Sequence, residues 1–564
     1  MNRKIRSALA LAAVLLATGT PALAQTGAIE KIKSFLGGLP GELPGNVWAV
    51  APQEETQDVL FLGESRPVVL RLHVQVDGKG FRTAWDDFAR KLYAYLDRDG
   101  NGVLTKDEAE RGSILQLIQN GFNGGFDENA RLNIDTAPAD GKISMAELTK
   151  FLKAKFGAFT LAFVPPTDAR AESMFKRIDR DGDGKLDDAE LAVAATSLLS
   201  ADDDDDEIIV VGELTPYQNP YYGRRVAVTS QGNRDPNEGS PFVAPAPEDA
   251  PDVFARQLLK RYDNGGPRKD ARARDGKLGR GEIALEPAAF ARADADADGL
   301  LDATELARLR KALPPDLEVA AHFDSKNRVT FEAVDDRGRP PAPGGGFQVE
   351  RDGVRIVVRA SANGNDLKQY YESQFKAADG DNNKYLEKKE TDGNFLFGQL
   401  FKVLDRDDDG KLFLEEVVAF AERQQDASRS RTTVTATDQG RALFETVDAN
   451  RDGRLSAREL RRAAEALAPT DRDGDGRIAL AEVPRHYLVV IGRGATGYPF
   501  GNEVFEVPAT PRNKPAANAP AWFTKMDRNG DGDVSRREFL GPRADFDRLD
   551  RDGDGLLDAV EAGN

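Results

Sequence analysis

Asp97-Arg98-Asp99-Gly100-Asn101-Gly102-Val103-Leu104-Thr105-Lys106-Asp107-Glu108 is the stretch on which the reading of this chain turns. With its first residue as position 1, short carboxylates or amides stand at 1, 3 and 5 (Asp97, Asp99, Asn101), glycine at 6 (Gly102) and glutamate at 12 (Glu108). A tight turn points residues 1, 3 and 5 inward. Position 6 must reverse the chain with φ > 0, which glycine does without steric cost. Position 7, Val103, offers its backbone carbonyl, and position 9 usually carries a water. Glutamate at 12 has the extra methylene needed to reach back with both oxygens. Six to eight oxygens at ~2.3–2.6 Å are what a hard cation such as Ca2+ requires.

The spacing recurs seven times in full. The copies are 179–190 (Asp179, Asp181, Asp183, Lys185, Glu190), 294–305 (Asp294, Asp296, Asp298, Leu300, Glu305) and 405–416 (Asp405, Asp407, Asp409, Lys411, Glu416). They continue at 448–459 (Asp448, Asn450, Asp452, Arg454, Glu459) and 471–482 (Asp471, Asp473, Asp475, Arg477, Glu482). The last two are 527–538 (Asp527, Asn529, Asp531, Asp533, Glu538) and 550–561 (Asp550, Asp552, Asp554, Leu556, Glu561). Position 8 is always Leu, Ile or Val. One such match is a common surface turn; eight in one chain are not. The motif resembles the calcium loop of the EF-hand (calmodulin-like) superfamily, in which position 8 joins paired loops through a short β-bridge. The resemblance implies Ca2+ as cofactor.

Four further copies depart from the pattern. Residues 379–390 keep Asp379, Asp381, Asn383, Tyr385 and Glu390 but place Lys384 where φ > 0 favours glycine. Asp135 to Glu147 and Asp270 to Glu282 keep positions 5, 6, 8 and 12 behind an irregular first half, with Asp263 an alternative first ligand across a longer insertion. Asp202–Glu207 reads at first as a solvated acidic run. Yet Asp202, Asp204, Asp206, Ile209 and Glu213 fall at positions 1, 3, 5, 8 and 12, with Glu207 in the glycine position. Position 6 of this copy lies 23 residues after Gly184, the interval that also separates Gly276 from Gly299, Gly453 from Gly476 and Gly532 from Gly555. The register predicts that 202–213 pairs with 179–190, Ile209 beside Leu186.

The expected fold is mainly α with β linkers (α+β): tandem EF-hand pairs joined by short strands and Pro/Gly-rich linkers. The expected boundaries are a signal peptide at 1–24, a strand-rich segment at 25–80, pair 1 at 81–160, pair 2 at 165–215 and a linker at 216–250. Pair 3 follows at 251–314, a β-rich linker at 315–365, pair 4 at 366–424, pair 5 at 438–486, a β/linker stretch at 487–519 and pair 6 at 520–564. Trp85, Phe88, Leu92, Tyr93 and Leu96 recur at helical spacing before Asp97, as packing residues. Pro287 and Pro542 break the helix after the first loop of their pairs. Leu70, Leu72, Val74 and Val76 alternate with Arg71, His73 and Gln75 as in a strand. Val329–Ala333, Val354–Val358, Ile208–Val211 and Leu488–Ile491 are further strand candidates.

Composition narrows the function. Of 564 residues, 40% are hydrophobic and 30% charged, enough apolar material for packed cores. The net charge of −18 argues against a nucleic-acid partner. The absence of Cys removes disulfides and thiolate sites, and three His support no His-built centre. Arg3, Lys4 and Arg6, the apolar Ala8–Ala17 and the small residues of Ala22-Leu23-Ala24 read as a signal cut after Ala24. Three fewer bases then take the net charge from −18 to −21. The expectation is a secreted or periplasmic calcium-binding protein, structural or buffering at the cell envelope, not an enzyme, binding eight to ten Ca2+, with no transmembrane segment after cleavage. Its partners are calcium ions and an envelope protein or surface polymer. The alternative is a dockerin-like partner-docking protein or a sensor. The whole resembles multi-EF-hand proteins secreted by bacteria, a resemblance that implies calcium binding and no more.

Overall fold

The alternation along Pro67–Val76 buries Leu70, Leu72, Val74 and Val76 on one side of a strand and leaves Arg71, His73 and Gln75 half-exposed on the other. In the computed structural model, ten strands, with the two-residue Lys79–Gly80 strand pairing at the end of Pro67–Val76, form two sheets. They are β1 (Thr56–Leu62), β2 (Pro67–Val76), β3 (Phe159–Val164), β4 (Phe242–Val243) and β5 (Leu317–Phe323), then β6 (Val329–Ala333), β7 (Phe347–Arg351), β8 (Val354–Ala360), β9 (Thr432–Arg441) and β10 (Arg485–Arg493). The structure describes residues 55–111, 134–136, 139–164, 169–214, 240–246, 251–263, 275–326, 328–334, 346–351, 353–361, 367–394, 396–494 and 519–563. The expected signal segment, the Gly/Asn-rich stretch 120–129 within the 97–147 group and most of the Pro-rich linkers lie outside them.

The first sheet has the order β6-β5-β2-β1-β4, with β5 parallel to β2 and the other neighbours antiparallel. The second has the order β7-β8-β10-β9-β3, with β8/β10 and β9/β3 parallel. Both contribute to one core: Val59, Phe61, Leu70, Leu72 and Val74 with Ile356, Val358, Val434, Val489 and Ile491. The rings of Phe61, Phe242 and Tyr487 meet there at 5.0–5.3 Å between centroids. Fully burying each such side chain contributes roughly 1.5–3 kcal/mol. The strands expected as connectors between modules are therefore the frame of the molecule. The polar-looking β9 (TTVTATDQGR) is buried almost throughout because it lies between β10 and β3. Its threonines are β-branched and suit a pleated surface.

Successive loop groups depart from this frame: 97–147 after β2, 179–213 after β3, 263–305 after β4, 379–416 after β8, 448–482 after β9 and 527–561 after β10. Four groups close on themselves by two- or three-residue bridges, pairing Leu104 with Ile143, Leu278 with Leu301, Leu386 with Leu412 and Val534 with Leu557. The other two do not. Leu186 pairs with Ile478, and Ile209 with Leu455. Loop 179–190 thus joins 471–482, and 202–213 joins 448–459, which corrects the expectation of separate pairs at 165–215 and 438–486.

The cause lies in the spacers. Between Glu190 and Asp202 the chain runs through helices Asp188–Ala192 and Ala194–Leu198 and a 3-10 turn Leu199–Ala201, with one kink at Val193. Between Glu459 and Asp471 it repeats this with Ala457–Arg461, Ala463–Leu467 and Ala468–Thr470, kinked at Arg462. Twelve residues of helix span about 18 Å, so the two loops of one spacer cannot meet. Two antiparallel spacers pack together instead, through Leu191, Ala194, Leu198, Leu460, Ala463 and Leu467, all buried, and each end brings loops of different groups together. The groups 97–147 and 379–416 likewise share a core, Trp85, Phe88, Leu92 and Leu152 with Phe375, Phe397 and Phe420.

Candidate metal centres

Loop 448–459 shows how the chain builds such a site. Helix Leu443–Val447 ends as Asp448 donates its amide to the Phe444 carbonyl at 2.9 Å. Asp448 Oδ2 accepts from Gly453 N (2.9 Å) and Oδ1 from Asp452 N (3.1 Å). Asn450 Oδ1 accepts from Asp452 N at 2.8 Å, and Asp452 Oδ1 from Arg454 N at 2.9 Å. These bonds wind the backbone inward, with left-handed residues at Arg451 (φ 62°) and Gly453 (φ 78°). Ser456 then caps the next helix and Glu459 answers in a capping box. Glu459 Oε1 accepts from Asn450 N (3.1 Å) and Oε2 from Ser456 N (3.0 Å), so one side chain closes the loop and starts the helix.

The same contacts recur in the other copies. The position-6 amide donates to the position-1 carboxylate at Asp97, Asp179, Asp294, Asp379, Asp405, Asp471 and Asp550 (2.8–3.1 Å). The closing glutamates Glu108, Glu190, Glu305, Glu390, Glu416, Glu482, Glu538 and Glu561 each accept from the start of their loop and from position 9. Lys384 takes the left-handed bend at φ 73°. Position 4 also bends left-handed, with Asp205, Ala297, Asn382, Asp408 and Arg451 beside the glycines. Glycine at 100, 182, 474, 530 and 553 was the available signal for that second bend.

The irregular copies fold the same way. Asp202 Oδ2 accepts from Glu207 N at 2.8 Å, with Glu207 at φ 64°; Glu213 accepts from Asp203 N (2.9 Å) and Val210 N (2.7 Å). Asp135 accepts from Gly141 N at 2.9 Å, one residue later than usual, and Glu147 from Thr136 N and Ser144 N. Asp263, 6% exposed, accepts from Gly276 N at 3.0 Å, so it takes position 1 across the insertion. Asp270 lies outside the described residues.

The donor set fits a hard divalent cation. Carboxylate oxygens of Asp97, Asp99 and Glu108 lie within 4.8 Å of one another, and so do those of Asp179, Asp181 and Glu190, of Asp202, Asp204 and Asp206, of Asp294, Asp296 and Asp298, and of Asp379, Asp381 and Glu390. Oδ1 of Asp135, Asp263, Asp294, Asp405 and Asp550 is buried with no hydrogen-bond partner, while Oδ2 of each is held by an amide. Each of these five first-position side chains therefore has one oxygen anchored and one left for a cation. The crowding shows in acidity. Burial, reinforced by neighbouring carboxylates, pushes Asp448 and Asp531 up to about 7. Asp405, Glu416, Asp527 and Glu538 shift upward with burial as the largest cause, whereas amide donors hold the half-exposed Glu482 below its ordinary value. The three histidines lie in β2, β5 and β10, facing Glu318 (2.7 Å), Gln75 (3.0 Å) and Glu445 (3.1 Å), not these loops.

The family model of an EF-hand domain pair matches residues 139–198, and that of a single EF hand matches 285–309, 441–464 and 521–540. The pair match spans the end of loop 135–147 and loop 179–190, which bridge to different partners in the fold. No curated protein and no solved structure matches the chain. Helix-flanked loops with this donor order, together with those family matches, show that the chain carries EF-hand domains, with Ca2+ as the cofactor such loops bind.

Proposed function

We propose that this is a non-enzymatic, multi-site calcium-binding protein, secreted or periplasmic, in which Ca2+ acts structurally at the cell envelope. The observation that carries the reading is the set of five first-position carboxylates, in four of the six loop groups, with one oxygen anchored by an amide and the other buried without a partner. Without a cation each loop gathers carboxylates that repel one another; a divalent ion reverses that repulsion and couples binding to folding. Extracytoplasmic calcium is often millimolar, so sites of ~10⁻⁴–10⁻³ M stay filled and act as structural ties. Only Met145, Met174 and Met526 follow the expected cleavage site, which gives little support to a methionine-lined sensor groove. Among the described residues no helix is long and apolar enough to cross a membrane.

The nine loops from 97–108 to 550–561 with complete ligand sets, joined by the loops starting at Asp135 and Asp263, should take up about nine to eleven Ca2+ per chain. Atomic emission on the dialysed protein measures this, and fewer than six overturns the reading. Removal of calcium with EGTA should lower the melting temperature, and Mg2+ should restore it poorly because it demands a tighter octahedron.

A further inference from the structure

Across three of the loop bridges, a base at position 7 reaches the position-5 carboxylate of the partner loop. Lys185 pairs with Asp475 and Arg477 with Asp183 (2.8 Å), reciprocally. Lys277 pairs with Asp298 at 2.8 Å, and Arg454 stands 3.7 Å from Asp206. In each well-formed case the carboxylate gives Oδ2 to the base, while Oδ1 accepts its own loop's position-7 amide. The C-terminal pair breaks the rule. Its position-7 residues are Asp533 and Leu556, so it has an extra acid and no base.

Another module supplies the missing cation. Arg458, on the helix leaving loop 448–459, forks onto both oxygens of the buried Asp533 (2.8 and 2.9 Å) and reaches Asp554 Oδ2 at 3.0 Å. Arg461 donates to the Asp554 carbonyl. Asn529 Nδ2 donates to the Asp206 carbonyl at 3.0 Å, and Arg454 to the Asn529 carbonyl at 3.1 Å. These contacts use the outward atoms of Asn529 and Asp554. Their Oδ1 atoms stay turned into the loop, accepting Asp531 N and Leu556 N.

We propose that Arg458 is a positioning residue for calcium in the C-terminal pair. It holds Asp554 and Asp533 in the loaded arrangement from a neighbouring module, so docking of residues 520–563 and their calcium binding strengthen each other. The inference rests on the calcium reading above. A fork onto a buried carboxylate is among the stronger polar contacts, and it orders donors before the cation arrives. By linkage, calcium in loops 527–538 and 550–561 must in turn tighten the contact with loop 202–213.

The test uses the full chain and hydrogen exchange read peptide by peptide across a series of buffered Ca2+ concentrations. In Arg458→Gln the calcium midpoint for protection at Val534 and Leu557 should rise about five-fold or more, while that at Leu104 and Ile143 stays put. Arg458→Lys keeps the charge without the fork and should fall between. With Glu538→Gln and Glu561→Gln together, the midpoint at Ile209 should rise by a comparable factor. Unchanged midpoints at Val534 and Leu557 in Arg458→Gln overturn the inference, and so does a fall, which would mean that Arg458 competes with the cation. Retained protection at Leu104 and Ile143 shows that the variant folds. If no peptide of the native chain gains protection with Ca2+, the calcium reading itself fails and takes this inference with it.

Discussion

Spacers of eleven residues separate the two loops at 263–305 and the loops 448–459 and 471–482, yet the first folds its loops together and the second drives them apart. The first reads IALEPAAFARA, residues 283–293. After a turn the chain is irregular through Ala284–Glu286, with Leu285 N donating to the Ile283 carbonyl at 2.9 Å, and a helix starts at Pro287. That break lets the chain reverse, so that Leu278 reaches Leu301. The second reads LRRAAEALAPT, residues 460–470. Its only proline is Pro469, inside the final 3-10 turn, and the helix runs through with a kink. The pair 527–561 follows the first pattern with Pro542, and 191–201, which has no proline, follows the second. Equal loop spacing therefore fixes a register but not a partner. The partner is decided by whether proline interrupts the spacer near its middle.

The largest expected effect comes from breaking the continuous spacer. Ala466 donates its amide to the Arg462 carbonyl at 3.0 Å, so Ala466→Pro removes that bond and clashes with the preceding turn. A cost of ~3 kcal/mol or more is expected. Protection at Ile209, Leu186 and Ile478 should collapse together in hydrogen exchange, since all three depend on the interleaved spacers. Glu286→Pro is the matching change in the broken spacer. Glu286 already has φ −54°, so this variant should stay within about 1 kcal/mol of the parent. Equal losses in the two variants would remove proline placement as the cause.

A second change separates the observed pairing from a sequential one. Glu459→Gln weakens the closing contact of loop 448–459 and should lower calcium affinity there by about ten-fold or more. Read from sequence order, the neighbour disturbed is loop 471–482. In the fold it is loop 202–213, through Leu455 and Ile209. Exchange at Ile209 should speed up more than exchange at Ile478, with Leu104 unaffected. The reverse order would restore sequential pairing.

What could be read in advance divides along the same line. The loops were legible because their chemistry is local: each carboxylate is oriented by amides within twelve residues, so spacing alone specifies it. The helix before Asp97 was legible too, since Trp85, Phe88, Leu92 and Leu96 mark one face and are all buried. The frame was not. β3 and β9 lie more than 250 residues apart in sequence, and nothing in either names the other. In β9 the threonines and Asp438 hid a buried strand, because Arg485 neutralises Asp438 at 2.6 Å from another strand. The swap fell between these cases. Its signal, a missing mid-spacer proline, was present, but it gains meaning only beside Pro287 and Pro542.

The smallest effect concerns the two described loops whose position-6 bend is left-handed without glycine. Lys384 (φ 73°) and Glu207 (φ 64°) occupy the same position, one in a sequentially closed pair and one in a swapped pair. A non-glycine residue there costs roughly 1–2 kcal/mol, and glycine gives back about 0.5–1 kcal/mol through its freer unfolded chain. Lys384→Gly should thus stabilise 379–416 by about 0.5–1 kcal/mol in denaturant melts at saturating calcium. Glu207→Gly starts from the same relief but also loses the carboxylate that Arg537 of the C-terminal pair approaches at 3.5 Å. With Arg537 largely exposed and the two groups 3.5 Å apart, the pair contributes about 0–1 kcal/mol, so the two terms should nearly cancel. Removing Arg537 first, as Arg537→Ala, should bring Glu207→Gly up to the gain seen for Lys384→Gly. A gain already equal in the parent would mean that the contact with the C-terminal pair contributes nothing at this loop, and that its bend is strained to the same degree as the one at Lys384.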